Sequence, residues 1–131
     1  MSQPESTVPA YGLETALLIS PDEEDHEVLN ELFRHNSWIL HRASSVNSAS
    51  ALLNEGTTSV VITERHFPVG DWKDVLDVVH HLPKAPLLIV ISRAADNYLW
   101  AEALNLGAYD VLAKPLDQTE AARVLTSAWI R

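Results

Sequence analysis

The 131-residue chain contains no cysteine. That excludes a disulfide framework, a thiol nucleophile and any cysteine-based metal site, and it fits a cytoplasmic location. Long apolar runs are missing as well. None approaches the ~20 residues of a membrane-crossing helix, and no signal-peptide pattern is visible, so no membrane partner is expected. Glycine is scarce at 4 and proline modest at 7, which rules out collagen-like and low-complexity architectures. Basic residues are few: 9 against 18 acids, for a net charge of −9. The nine are scattered, so no patch offers itself to a phosphate backbone, and nucleic acid is not an expected partner.

What is present is an ordinary globular balance of 47% apolar and 21% charged residues, enough for one domain with one core. Residues 1–13 (MSQPESTVPAYGL) hold two prolines, a glycine and no sustained pattern, and read as a flexible leader. Residues 14–131 read as a single domain.

There, short apolar runs alternate with helical spacing. The runs are Thr15–Ile19, Trp38–His41, Ser59–Thr63, Pro86–Ser92 and Ala108–Leu112. The middle ones are apolar on both faces, as central strands of a covered parallel sheet must be. Between them lie stripes at Val28, Leu29, Leu32 and Phe33; at Ala49, Leu52 and Leu53; and at Val75, Leu76, Val78 and Val79. Two more follow, at Leu99, Ala103 and Leu106 and at Val124, Leu125 and Ala128. Asp71 with Asp74, and Asp117 with Glu120, have the spacing of an acidic N-cap and an acid one turn on, while Gly107 suits a left-handed helix stop. The expected fold is a three-layer α/β sandwich of five strand–helix units around a parallel five-stranded sheet.

Sheets of this kind bind at the carboxyl ends of their strands. The residues there are Ser20, Pro21 and Asp22; Glu64, Arg65 and His66; Ser92 and Arg93; and Ala113, Lys114 and Pro115. Carboxylates, hydroxyls and an ammonium converging on one edge suit phosphoryl chemistry, where positioning and charge neutralisation dominate.

Four segments, in order and at matching separations, carry a resemblance: ALLISPDEEDHEVLNELF, VVITERHFP, LLIVISR and ALNLGAYDVLAKP. From Thr15 to Arg131 the chain resembles a response-regulator receiver domain of two-component phosphorelay signalling. The resemblance implies the flavodoxin-like strand order 2-1-3-4-5 and a cis Lys114–Pro115 bond. Receivers take a phosphoryl group from a sensor-kinase histidine onto an aspartate, with Mg²⁺ held partly by an acidic pair at the end of the first strand.

This chain departs from that pattern three times. The acidic pair falls on Ser20 and Pro21, with Asp22 at the following position, so strong Mg²⁺ binding is not expected; weak binding would rest on Asp22. The same residues read as a helix start, with Ser20 as N-cap, Pro21 at N1, Glu23 at N3 and the acids through Asp25 in the first turn. The acceptor position falls on Glu64, one methylene (about 1.5 Å) longer than aspartate, and in-line transfer is sensitive to such misplacement. The place of the aromatic that receivers couple to the hydroxyl residue Ser92 is taken by Val111, and Tyr109 is expected to face away. Two readings of Glu64 stay open: a fixed carboxylate reaching Lys114 and Ser92 that imitates a phosphoaspartate, or an ion pair that only satisfies two charges.

His66 reads as a solvent-facing loop histidine and Arg65 as a lone surface cation, while His80 and His81 complement the end of the third helix. Tyr98, Leu99 and Trp100 cannot all face one core. Either two are buried, or Tyr98 or Trp100 anchors a partner surface on the fourth-helix, fifth-strand and fifth-helix face, which Trp129 would extend. Trp72 reads as packing against a loop.

The expected function is that of an atypical receiver, not an enzyme, with no cofactor. It would act by contact with a sensor kinase, a downstream effector or a second copy. The alternatives are a functional phosphoacceptor using Glu64 or Asp22, and a small-molecule-binding flavodoxin-like module.

Overall fold

A computed structural model describes residues 14–130; the leader assigned to residues 1–13 lies outside the described residues. Five strands and five helices alternate along the chain. The strands are β1 (Thr15–Ile19), β2 (Ile39–Ala43), β3 (Val60–Glu64), β4 (Leu87–Ser92) and β5 (Asp110–Ala113). The helices are α1 (Glu23–His35), α2 (Val46–Asn54), α3 (Trp72–His80), α4 (Asn97–Leu106) and α5 (Gln118–Trp129). All pairings are parallel, in the order β2-β1-β3-β4-β5. The Lys114–Pro115 bond is cis.

Period-two alternation sorts the central strands between two cores. Leu17, Ile19, Val61, Leu88, Val90 and Val111 face one layer, with Ala49 and Leu53 of α2, Val75 and Val79 of α3, and Leu99 and Ala103 of α4. Ala16, Leu18, Val60, Ile62, Ile89, Ile91 and Leu112 face the other, with Leu29 and Phe33 of α1 and Val124 and Leu125 of α5. Each helix opens at the carboxyl edge of the sheet on a short polar cap: Asp22, Ser45, Asp71, Asp96 and Asp117. Those caps satisfy amide groups that the helix itself leaves unpaired. The Asp71–Asp74 pair forms a reciprocal capping box, and Gly107 ends α4 at a φ of 111°.

The structure differs from the sequence reading in several places: β5 starts two residues later than the Ala108–Leu112 run, and Leu106 of the α4 stripe is 45% exposed. The first turn of α1 is capped by Asp22, whose side chain accepts from the Glu24 amide, so Ser20 is not the cap and Pro21 lies outside the helix. β2 runs two residues past His41, because an edge strand tolerates the exposed Arg42. Trp72 is not a residue packed against a loop; it is 1% exposed and belongs to the core beneath α3. Trp129 does not extend the α4 face. It stacks edge-on with Trp38 and Phe33 on the α1–α5 side and donates its indole N–H to Ser59 Oγ at 2.9 Å.

Candidate functional site

The carboxyl ends of β1, β3 and β5 meet at one ammonium. Lys114 follows directly after β5, and its side chain is 5% exposed. Its Nζ lies 3.0 Å from Asp25 Oδ2, bonds Glu64 Oε1, and stands 3.7 Å from Asp22 Oδ2. Burial works against the Lys114 charge. Hydrogen bonds to Glu64 and Asp25, together with their negative charges, prevail and hold its proton above the usual lysine value of 10.5.

Every carboxylate in the group has a second partner. Ser20 Oγ donates to Asp25 Oδ2 at 2.7 Å and accepts the Asp22 amide at 3.0 Å. Glu64 Oε2 accepts the amides of Arg65 at 2.6 Å and His66 at 3.3 Å. Asp22 Oδ1 accepts the Glu24 amide at 3.0 Å. Outside this ring, Arg93 donates to Glu24 at 3.1 Å and stands 3.9 Å from Asp22. Charge-assisted bonds of this kind are about twice as strong as neutral ones, and with the central ammonium buried they are little screened.

Of the residues singled out in the sequence, Ser20, Asp22, Glu64 and Lys114 therefore come together. Pro21 is exposed and brings no side-chain oxygen. Ser92 is buried but turned away: its hydroxyl accepts the Ala94 amide at 3.0 Å, and no bond to Glu64 is formed among the described residues. Its carbonyl accepts the Lys114 amide at 2.9 Å, which ties β5 to β4 at this edge. Val111 is 6% exposed in the α2–α4 core, whereas Tyr109, in the bend before β5, packs into the opposite core and bonds Ser127. Arg65 folds back, donating to the Ala94 carbonyl at 3.2 Å, and His66 is exposed.

Asp25 is the functional residue that sequence reasoning passed over as one more first-turn acid. Its signal was there. Asp25 stands four and seven residues before Leu29 and Leu32, in register with the buried stripe of α1. His26 shares the same buried start: Nε2 donates to the Ser20 carbonyl at 2.8 Å, and buried Nδ1 has no partner among the described residues.

A second feature lies on α4. Leu99 is buried, but Tyr98 is 76% and Trp100 48% exposed, so the reading that buries two of the three aromatic and aliphatic neighbours fails. Beside Tyr98 a depression of about 340 Å³ runs along Ala101, Glu102, Asn105 and Leu106.

The chain matches the family model for the response regulator receiver domain over residues 17–126. No curated protein matches it. Among solved structures, the signal receiver domain of an HD domain-containing protein from Pseudomonas fluorescens Pf-5 is 28% identical, covering 90% of this chain and 95% of that one, with a TM-score of 0.80. A receiver domain of a Francisella response regulator is 19% identical over 90% of this chain and 98% of its own, with a TM-score of 0.81. The receiver domain of Ssk1 from Saccharomyces cerevisiae, crystallised with the histidine phosphotransfer protein Ypd1, is 15% identical over 88% of both chains, with a TM-score of 0.76. The latter two are alike in fold.

Proposed function

The chain belongs to the response regulator receiver family of two-component signalling, and from that premise we propose that its signalling state is set by its own side chains and not by an aspartyl phosphate. The observation that carries this reading is the Lys114 ammonium, buried and bonded to Glu64 and Asp25. In a receiver the lysine at this position answers the phosphoryl group; here a carboxylate at the acceptor position already engages it. Ser92, which would answer the same group, accepts the Ala94 amide at its hydroxyl oxygen, and Val111 supplies no aromatic partner for it.

The donor set does not fit a resident Mg²⁺. That ion requires near-octahedral oxygens at about 2.0–2.1 Å and binds through one or two carboxylates, phosphate and water. Pro21 offers no side-chain oxygen, the Ser20 hydroxyl is committed to Asp25, and Asp25 and Glu64 both point onto Lys114.

The domain acts by contact, in the cytoplasm, with a protein partner: a sensor kinase, a downstream effector or a second copy. The exposed Tyr98 and Trp100 support the α4-β5-α5 face as that surface, because half-exposed aromatics are the usual anchors of such contacts. The test is the intact mass after incubation with a small phosphodonor and Mg²⁺, run beside a Glu64→Asp variant and an active receiver. No adduct on the natural chain is expected. An adduct there overturns the proposal, and one on the variant alone traces the block to the extra methylene of Glu64.

A further inference from the structure

Resting on that reading, we infer that Lys114 is the resident cation of this site, a covalently tethered replacement for a divalent metal, and that Asp25 is the residue that holds it there. An ammonium has three N–H donors. Around Nζ stand three carboxylates brought by two segments: Asp22 and Asp25 from the start of α1, and Glu64 from the end of β3. The Lys114 and Asp25 side chains are only 5% and 4% exposed. Two negative charges so deeply buried as Asp25 and its neighbour Glu64, at 13%, need a cation beside them. Lys114 supplies it.

The other contacts point the same way. The Ser20 hydroxyl donates to the same Asp25 oxygen that meets the ammonium, and the outer oxygens of Glu64 and Asp22 accept the Arg65, His66 and Glu24 amides, so every one of these donors holds a carboxylate in place around one centre. Arg93 does not serve as that cation, since its side chain is 61% exposed and bonds Glu24 on the outside. A divalent ion entering the natural chain would have to displace a hydrogen-bonded ammonium that cannot leave. With the ammonium removed, the same three carboxylates form a hard-oxygen set of the kind divalent ions take.

The consequence is a metal site created by deleting a lysine. Lys114→Met keeps the aliphatic stem and removes the charge. Mn²⁺ titration followed by water-proton relaxation is expected to show binding to this variant roughly tenfold or more tighter than to the natural chain. Adding Asp25→Asn to Lys114→Met is expected to abolish the gain. Equal Mn²⁺ affinity in the natural chain and in Lys114→Met overturns the inference.

A measurement on the natural chain covers the case in which the variant does not fold. With the lysine ε-methylenes carbon-13 labelled, Mn²⁺ should broaden the signal of Lys73, which pairs with the surface carboxylate of Glu102, before that of Lys114. Loss of the Lys114 signal first means that metal enters the site, and the inference falls. The reading beneath it falls separately, on a phosphoryl adduct.

Discussion

Replacing Lys114 by methionine tests whether the ion-pair cluster is a buried structural unit or a set of surface charges. The substitution leaves Asp25 and Glu64, 4% and 13% exposed, facing each other without a counter-ion. Breaking a buried pair from one side costs about 3–5 kcal/mol, because the surviving charge stays buried and uncompensated. Glu64 keeps its two amide donors and Asp25 keeps Ser20, which places the expected loss near the lower end, about 3 kcal/mol at neutral pH. Against a total of about 5–15 kcal/mol for a domain the variant still folds, with a melting temperature lower by roughly 10–15 °C. Urea unfolding followed by tryptophan fluorescence measures it, with an unchanged m-value showing that the loss is one of stability.

The pH dependence sharpens the test. In the natural chain the Lys114 proton is held above its unfolded value, so its contribution is full below that value, near 10.5, and is lost as pH rises through the higher folded one. The variant lacks this alkaline loss. A loss below about 1 kcal/mol at neutral pH, the range of exposed salt bridges, would refute the reasoning.

Two further outcomes follow from the packing. Trp72→Ala removes an indole that is 1% exposed from the α2–α4 core and is expected to cost about 3–5 kcal/mol in the same urea assay; a loss under about 1 kcal/mol contradicts its burial. Tyr98→Ala with Trp100→Ala is expected to weaken self-association or partner capture in sedimentation velocity while leaving stability within about 0.5 kcal/mol, and unchanged association removes α4 from the proposed interface.

Much of the fold was legible because its signals are local. The Thr15–Ile19 run matches β1 residue for residue, since a central strand buried on both faces must be apolar throughout. Asp71 and Asp74 read as a cap because a capping box spans three residues. β2 was harder. It lies at the sheet edge, where one side faces water, so Arg42 belongs to the strand although no apolar run includes it. Trp72 was misplaced for a different reason: a residue just after an N-cap can face either way, and only the tertiary arrangement of α3 against β3 and α2 turns it inward.

The site shows how two residues of slippage at a helix start decide chemistry. A cap at Ser20 would have left Asp25 as one more solvated acid of the first turn. With the cap at Asp22, Asp25 becomes N3, the position whose acid normally reaches back to the cap amide. Here that amide is already taken, because Asp22 N–H donates to Ser20 Oγ. Ser20 thus does two things at once. It relieves Asp25 of the capping bond, and it donates its own hydroxyl to the freed carboxylate, aiming Oδ2 at Lys114 from 89 residues away. A serine in the first place of the acidic pair is therefore not a mere loss of a ligand. It is what allows an acid from the helix to hold the lysine, and the long separation is why no local pattern in the chain announces it.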